Sequence, residues 1–524
     1  MSPNNMISLV VSVTLIFTNL IEAARILAVY PTPSISHQVV FRPLTNELVK
    51  RGHEVVVITT DPQYPKGQAP ENLTEIDVHD LSYKAWRNTI AVMKNGEKND
   101  VITQAKSFCA VSLKIFEEQT KFPEVQDIIK NKNSTFDLLL VEAWPRFTLG
   151  FSHAVKAPVI AVSSLGHIFD NYEVIGAPSH PLLYPQAFNT RLYNLSLWEK
   201  FTQLYNMYQI MSFYRGSLHD LEYAAVKRIF GEDTPPFSEL QNNVDMLFLN
   251  MHPIWEGNFP VPPGVVYMGG LHQNPQKELP KDLKNYLENS KNGVIYISFG
   301  TNVDTNVMPQ EKVQNIIKAF SELPYDVLWK WNSDELQGKT ENIRISKWFP
   351  QSDLLRHPKI KLFITQGGLQ STDEALTAGV PLIGIPMLGD QWFNVEKYVH
   401  HKIGLQLEMG TLEVESFKNA IETVIGDKSY RENIVRLRTL MNDQPLAPLE
   451  RTVWWTEHVL RHGGARHLRA PAANMPWAQY YELDLVLLVL STALAVIVLS
   501  SLVIYKLVKF VLSQVSNSKK LKSS

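Results

Sequence analysis

A glycine-containing segment in the second half of the chain has the residue types of a phosphate-binding turn. In FITQGGLQSTDEALTAGVPLIGIPMLGDQ, residues 362–365 form an apolar run that predicts a strand, and Gln366, Gly367 and Gly368 follow it. A helix is predicted from about Ser371. Glycine lets a ligand approach the backbone closely, and free N–H groups at a helix start attract phosphate. The pattern therefore predicts a phosphate site, although a plain strand-to-helix turn is an equally good interpretation of the two glycines alone.

Polar side chains around this turn extend the predicted site to a whole nucleotide sugar. Ser371 and Gln366 can donate hydrogen bonds to phosphate oxygens. Glu374, inside the first turn of the predicted helix, can accept from two ribose hydroxyls. After the next strand, Asp390 and Gln391 offer an acceptor and an amide, which suit sugar hydroxyls.

Two doubly wound sheets are the elements that would position these residues. In the first half, an apolar run at 26–30, a helical spacing ended by Gly52 and a second run at 54–59 predict a β-α-β unit. FDLLLVEA and APVIAVSS repeat the strand pattern. In the second half, residues 294–298 and the segments DVLWKW, IKLFITQ and PLIGIP predict further parallel strands. The fold class is therefore α/β, with two Rossmann-like domains facing a cleft and ligands at the carboxyl ends of the strands.

The domain organisation follows from composition along the chain. Prolines and glycines mark a linker near residues 260–285. We predict an N-terminal Rossmann-like domain over 25–284 and a C-terminal Rossmann-like domain over 285–440. A helical return segment over 441–484 completes the body. Residues 170–235, rich in aromatic residues, Met and Leu, are interpreted as helices and loops that wall an apolar cavity.

The two ends of the chain predict a membrane protein of the secretory pathway. Residues 1–24 resemble a signal peptide, although an uncleaved anchor or a buried strand is an alternative. Residues 485–505 carry no charge and are long enough to cross a bilayer. The lysine-rich tail, 506–524, is placed in the cytosol by the positive-inside rule. Its ending KLKSS matches a dilysine retrieval signal, with a plain stop-transfer cluster as the alternative. We therefore expect a single-pass type I protein of the endoplasmic reticulum membrane with a lumenal catalytic body.

Composition narrows the partners and supports this compartment. The formal net charge is −2, so no bulk attraction to nucleic acid is expected. Sequons at Asn72, Asn133 and Asn194 predict glycosylation in the lumen. The only cysteine, Cys109, cannot form an intrachain disulfide, and we interpret it as a buried apolar filler. Assembly into a homo-oligomer is left open.

The long segment quoted above resembles the signature of the UDP-glycosyltransferase family, whose members have the GT-B fold. WFPQSDLLRHP and SFGTNV match the same family, and the likeness covers the whole chain. Gln366 stands where many relatives have histidine, which is typical of insect members. The resemblance implies that Trp348 and Gln351 recognise uracil and that Glu374 holds ribose. It assigns the diphosphate to Thr301, Gln366, Gly368 and Ser371 and the transferred sugar to Asp390 and Gln391, and it adds Gly300 to the UDP-sugar site. It also makes 25–284 the acceptor-binding domain and 285–440 the UDP-sugar-binding domain.

The same resemblance points to His37 as the catalytic base. His37 lies just after the first predicted strand, and imidazole is the usual general base near neutral pH. The family pairs this histidine with an aspartate on a later strand, and the matching position here is Glu142, which is one methylene longer. Asp137 is the competing candidate. Because the two acids differ in parity along the strand, they are expected to point to opposite faces, and we favour Glu142.

The implied activity is inverting transfer of a hexose from a UDP-sugar to a hydroxyl of a small lipophilic acceptor, in detoxification or hormone conjugation. No cofactor or metal is expected, because the chain has no Asp-x-Asp pair. Asn250 stands where relatives that use glucuronate are thought to have arginine, which favours UDP-glucose as donor. Two alternatives stay open: a glycan or lipid glycosyltransferase, and a catalytically silent member that binds lipophilic ligands.

Overall fold

Two parallel sheets form the framework of the computed structural model, which describes residues 23–91, 100–131 and 135–522. The first sheet has seven strands in the order β3-β2-β1-β4-β5-β6-β7, and the second has six in the order β10-β9-β8-β11-β12-β13. The strands of the first sheet are β1 Arg25–Tyr30, β2 Glu54–Thr59, β3 Leu73–Asp77, β4 Leu138–Glu142, β5 Val159–Ser163, β6 Val244–Leu249 and β7 Val265–Tyr267. The strands of the second sheet are β8 Val294–Ser298, β9 Asp326–Lys330, β10 Ile343–Ser346, β11 Ile360–Thr365, β12 Leu382–Gly384 and β13 Gly404–Gln406.

Helices connect the strands and cover both faces of each sheet. The α-helices are Ile35–Lys50, His79–Ala91, Val101–Gln119, Pro123–Lys130, Gly150–Val155, Asn171–Ile175, Leu197–Arg215, Ser217–Phe230, Phe237–Leu240, Pro253–Glu256, Lys281–Asn289, Gln310–Ser321, Gln351–Leu355, Leu369–Ala378, Gln391–His400, Val414–Gly426, Lys428–Asn442, Pro448–His462, Trp477–Tyr480 and Leu483–Lys522. Short 3-10 turns lie at Arg146–Leu149, Gln241–Asn243, Thr305–Val307, Met409–Thr411 and Arg466–Leu468.

The first β-α-β unit forms as predicted. β1 pairs in parallel with β2 over its whole length and with β4 on its other side. The helix Ile35–Lys50 buries Val40, Phe41, Leu44 and Leu48 against the sheet. The chain leaves it through Gly52, whose φ of +93° is accessible to glycine at little cost. This unit brings the start of the first helix to the carboxyl edge of the sheet.

The connector between the sheets is shorter than the predicted linker. β7 lies inside the 260–285 interval and adds an edge strand to the first sheet. The predicted boundary at 284/285 falls within the helix Lys281–Asn289. This helix packs on the second sheet, where the Tyr286 hydroxyl donates to the carbonyls of Val327 and Asn342 at 3.4 and 3.3 Å.

The chain returns to the first domain after the second sheet. Val453 and Val459 of the helix Pro448–His462 are fully buried in the core around β1. Arg51 Nη1 lies 3.1 Å from Glu457 Oε1 and adds an ion pair to this contact. The return segment thus fastens the end of the body to the domain with which it began.

The predictions for the cysteine, the sequons and the two ends of the chain can be compared with the structure only where residues are described. Cys109 is buried among Ala105, Ile210 and Tyr214, as expected of a filler. The Asn72 and Asn194 side chains are exposed, whereas Asn133, most of the predicted signal peptide (1–22) and residues 523–524 lie outside the described residues. Near the carboxyl end, residues Leu483–Ser518 form a helix that is long and apolar enough to cross a membrane. This helix contains the predicted span 485–505.

Candidate active site

His37 lies in the first turn of the helix Ile35–Lys50, at the carboxyl edge of the first sheet. Its Nδ1 is 2.8 Å from Glu142 Oε1 and 2.8 Å from the hydroxyl of Ser164. Because a carboxylate can only accept, the proton of the neutral imidazole belongs on Nδ1. Nε2 is then left with a lone pair to accept a proton.

Glu142 is the last residue of β4 and is buried behind the imidazole. Its Oε2 accepts from the backbone N–H of Thr32 at 3.2 Å, and its Oε1 also accepts from Trp144 Nε1 at 3.2 Å. Asp137 precedes the same strand and accepts from the backbone N–H of Arg25 at 2.7 Å. The two acids therefore lie at opposite ends of the strand, and only Glu142 contacts His37. The separation along the strand, rather than the difference in parity, distinguishes them.

The two glycines after β11 meet different constraints. Gly367 has a φ of +91°, and a Cβ there would lie 2.5 Å from Val395 Cγ2 and 3.1 Å from the carbonyl oxygen of Gln391. The helix Gln391–His400, and not a ligand, is what excludes a side chain from Gly367. Gly368 has an ordinary φ of −62° and caps the next helix. It lines the cavity described below, so the idea of close backbone approach applies to Gly368 alone.

The helix after this turn begins earlier than predicted. It runs from Leu369 to Ala378, so Ser371 is its third residue and Glu374 lies in its second turn instead of its first. Gln351 Nε2 donates to Ser371 Oγ at 2.9 Å and to Glu374 Oε2 at 2.7 Å, and the Tyr296 hydroxyl donates to Gln351 Oε1 at 3.0 Å. Three of the predicted donor residues thus form one hydrogen-bonded group. Burial raises the pKa of Glu374 to about 7, although the bond from Gln351 opposes this.

Asp390 and Gln391 sit where the loop after β12 meets the helix Gln391–His400. Burial raises the pKa of Asp390 to about 6, while the bond from Asn394 Nδ2 at 2.9 Å and the nearby His37 act in the opposite direction. Gln391 Oε1 accepts from the backbone N–H groups of Met387 and Leu388, both at 2.8 Å. Its amide oxygen is therefore used to shape the loop.

A cavity of ≈ 820 Å³ lies between the domain built on the first sheet and the domain built on the second sheet, which we call the first lobe and the second lobe. His37 lines it from the first lobe. The second lobe contributes every residue that the sequence assigned to the donor: Gly300, Thr301, Trp348, Gln351, Gln366, Gly368, Ser371, Glu374, Asp390 and Gln391. Trp348 is 66% exposed at the edge of this space, so it is not a core aromatic. The helices Leu197–Arg215 and Ser217–Phe230, predicted to wall the acceptor pocket, do not line this particular cavity.

Three residues at the site were missed by sequence reasoning. Lys330, at the end of β9, lines the cavity, and its Nζ donates to the carbonyl of Gly300 at 2.7 Å. Asn394 connects the glycine turn to the loop that ends at Asp390, since its Nδ2 donates to Gly367 O at 3.0 Å as well as to the Asp390 carboxylate. Ser164 is the third, because its hydroxyl contacts Nδ1 of His37. A lysine that ends an otherwise buried strand was the one signal that could have identified Lys330.

Asn250 is placed differently from what the donor argument assumed. It is fully buried, and its Nδ2 donates to the carbonyl of Ser164 at 2.9 Å. Its backbone N–H contacts the carbonyls of Ser163 and Leu165, both at 3.0 Å. Asn250 therefore supports the turn that carries Ser164, and it is not among the residues that line the cavity.

Within residues 23–91, 100–131 and 135–522, no group of three or more His, Cys, Asp or Glu side chains is arranged to hold a metal ion.

The sequence of this chain is similar to those of known proteins along almost its whole length. The family described as "UDP-glucoronosyl and UDP-glucosyl transferase" matches residues 25–522. An ecdysteroid UDP-glucosyltransferase of Spodoptera littoralis nuclear polyhedrosis virus is 36% identical over 506 residues, which cover 93% of this chain and 97% of that protein. UDP-glucosyltransferase 2 of the insect Dactylopius coccus is 32% identical over 484 residues, 90% of each chain.

Solved structures show the same fold at low sequence identity. The calicheamicin glycosyltransferase CalG4 aligns with a TM-score of 0.57 at 16% identity, over 84% of this chain and 99% of that one. Arabidopsis thaliana UGT89C1, solved in complex with UDP-L-rhamnose, gives a TM-score of 0.57 at 14% identity, with the same coverage. These neighbours establish the GT-B fold. With the family match and the relatives above, they show that the chain belongs to the UDP-glucuronosyl and UDP-glucosyl transferase family and is a UDP-glycosyltransferase.

Proposed function

We propose that the enzyme transfers glucose from UDP-glucose to a hydroxyl group of small lipophilic acceptors, with inversion at the anomeric carbon and His37 as general base. The observation that carries this proposal is the shared cavity, in which the imidazole from one lobe faces the donor residues of the other. Glucose is favoured because the relatives at 32–36% identity are named as glucosyltransferases.

The chemistry needs one displacement. The acceptor hydroxyl gives its proton to Nε2 of His37 while its oxygen forms the bond to the anomeric carbon. The bond from that carbon to the diphosphate oxygen breaks on the opposite face, and its electron pair leaves with UDP. Glu142, fixed by Thr32 and Trp144, stabilises the imidazolium that forms.

The donor is held by groups of matching chemistry. The exposed face of Trp348 suits stacking of uracil, and Glu374 suits the two ribose hydroxyls. The N–H groups at the start of the helix Leu369–Ala378 suit the diphosphate. Lys330 adds a cation on the same wall, where it would stabilise the charge that develops on the leaving UDP.

The acceptor is proposed by chemical class. Several relatives are named for ecdysteroids, so a polyhydroxylated steroid is the first acceptor to test, followed by phenols and flavonoids. This activity serves hormone or xenobiotic conjugation. We place the catalytic body in the lumen of the endoplasmic reticulum, with a cleaved signal peptide, glycans at the three sequons, the helix Leu483–Lys522 as a type I anchor and a short cytosolic tail.

The test is UDP release by the purified full-length chain with these acceptors. His37→Ala is expected to lower kcat by at least about 100-fold, the usual contribution of a general base, without changing the affinity for UDP. Glu142→Gln is expected to lower kcat strongly as well. Asp137→Asn is the matched control, because it removes a carboxylate from the residue just before this strand without touching His37, and it should stay within about threefold of the wild type.

Each alternative has its own outcome. A loss of only a few-fold in His37→Ala would reject this residue as the base. Ligand binding without turnover by the wild type would favour a silent, lipophile-binding protein. Higher efficiency with UDP-glucuronate would reject glucose, and preference for glycan or lipid acceptors would favour the secretory-pathway alternative.

A further inference from the structure

The loop that precedes Asp390 has no regular secondary structure, yet its backbone N–H groups are paired. The loop runs from β12 to the helix Gln391–His400 and includes residues 385–390. Gln391 Oε1 accepts from the N–H groups of Met387 and Leu388. The next N–H, of Gly389, donates to Oε1 of Gln104 at 3.1 Å. Buried backbone donors without a partner are costly, so these two glutamines determine the path of the loop.

Gln104 belongs to the opposite lobe. It lies in the first turn of the helix Val101–Gln119, which packs on the first sheet, and it is only 1% exposed. Its amide spans the loop, because Oε1 accepts from Gly389 while Nε2 donates to the carbonyl of Met387 at 3.5 Å. The loop that carries Asp390 is therefore held from both sides of the cleft.

We propose that Gln104 is a positioning residue for the donor sugar. Resting on the function proposed above, in which Asp390 and Gln391 hold the transferred hexose, the contact from the acceptor lobe sets the position of these two residues. The residues proposed to bind the nucleotide do not depend on this contact, because Gln351, Ser371 and Glu374 are hydrogen-bonded to one another within the donor lobe. Gln104 should thus act on recognition of the sugar and leave recognition of UDP unchanged.

The test compares Gln104→Met with a matched variant in the same helix. Gln119 is equally buried, and its Nε2 donates two hydrogen bonds within its own lobe, to Pro31 O at 2.8 Å and to Ser82 Oγ at 2.9 Å. Gln119→Met therefore reports the cost of losing a buried amide from this helix. Gln104→Asn keeps an amide but is one methylene too short to reach, and it serves if the methionine variant fails to fold.

The readouts separate sugar from nucleotide. Both Gln104 variants should raise the KM for UDP-glucose about tenfold, as expected for a buried N–H left without its acceptor, and leave the Kd of UDP within about twofold. They should also narrow the preference for UDP-glucose over UDP-galactose by about threefold or more, because a displaced loop discriminates the C4 hydroxyl less well. Gln119→Met should change neither the KM for UDP-glucose nor the preference for UDP-glucose over UDP-galactose.

Several outcomes would overturn the positioning role. These are equal weakening of UDP and UDP-glucose, an unchanged KM in the Gln104 variants, or a Gln119→Met variant that shows the same selective loss. Failure of the proposed function would look different. A wild type that binds UDP-glucose without transferring it would reject the activity, while calorimetric affinities for UDP and UDP-glucose would still test Gln104.

Discussion

At the residue scale, Glu374 should make UDP binding at the proposed donor site depend on pH. Its carboxyl is buried in the second turn of the helix Leu369–Ala378, and burial raises its pKa to about 7. The neutral acid therefore dominates below pH 7 and the carboxylate above it. In the proposed donor site Glu374 accepts from two ribose hydroxyls, and a carboxylate accepts more strongly than the neutral acid. We expect ionisation of Glu374 to strengthen UDP binding as the pH rises through 7.

The measurement is the Kd of UDP by calorimetry between pH 6 and pH 8.5. Glu374→Gln should bind about tenfold more weakly at pH 8, the order of one charge-assisted hydrogen bond, and should lose the part of the pH dependence centred near 7. Because a terminal phosphate titrates at about pH 6, the difference between variant and wild type is the relevant quantity. Asp373→Asn removes the neighbouring acid, which lines a different cavity, and should keep the wild-type step. An unaltered pH profile in Glu374→Gln would contradict the assignment.

At the scale of elements, the two glycines after β11 differ: Gly367 is required for packing, whereas Gly368 lines the cavity where we propose that UDP binds. Gly367→Ala introduces a Cβ at a φ of +91° and places it 2.5 Å from Val395 Cγ2. Strain and overpacking together should cost about 2–4 kcal/mol of unfolding free energy. At Gly368 the φ is −62°, and the nearest atom, Gln366 Nε2 at 3.1 Å, belongs to a side chain that can move.

The two alanine variants should therefore differ in what they lose. Gly367→Ala should lower Tm by several degrees, as measured by calorimetry, because the helix Gln391–His400 must shift. Gly368→Ala should keep a Tm near that of the wild type but weaken UDP binding, because its methyl group enters the donor cavity. If Gly368→Ala were the less stable variant, or if Gly367→Ala lost only affinity, the separation of roles would be wrong.

At the scale of the whole molecule, the two lobes meet around a buried lysine. Lys397 of the helix Gln391–His400 donates to the carbonyl of Trp255 in the first lobe, and its Nζ lies 3.8 Å from the centre of the Phe393 ring. Burial lowers the pKa of Lys397 to about 7, although Glu256 opposes this. The folded protein thus releases this proton near pH 7, whereas the unfolded chain keeps it to about pH 10.4.

This difference makes the stability of the lobe contact depend on pH. Between pH 7 and about pH 10 the unfolded state binds more protons at this site, so Lys397 contributes increasing stability as the pH rises, by at most about 1.4 kcal/mol per pH unit. In Lys397→Met the contribution is absent. The Tm of the wild type minus the Tm of Lys397→Met should therefore increase from pH 7 to pH 9. Lys428→Met, at an exposed lysine, is the control, and a constant Tm difference for Lys397→Met would contradict the prediction.

The sequence by itself determined the strands with continuous apolar runs, the β-α-β unit and the family. β2 and β8 have the predicted bounds, because fully buried parallel strands leave a local signature that does not depend on their neighbours. The long motif from Phe363 to Gln391 also named six residues that line the cavity between the lobes, because it keeps residue types and spacing in one segment. That these residues bind a UDP-sugar stays a prediction. Short or edge strands such as β7, β10 and β13 were missed because three or four residues carry too little pattern.

Only the tertiary structure decided which distant residues meet. That Glu142 and not Asp137 contacts His37, that Val395 and not a ligand excludes a side chain from Gly367, and that Asn250 lies behind Ser164 all depend on contacts between segments far apart in the chain. The same holds for Gln104, which reaches the loop at Gly389 across 285 residues. Local propensity and spacing act over a few residues, whereas packing of two lobes is set by surfaces that form only after each sheet has folded.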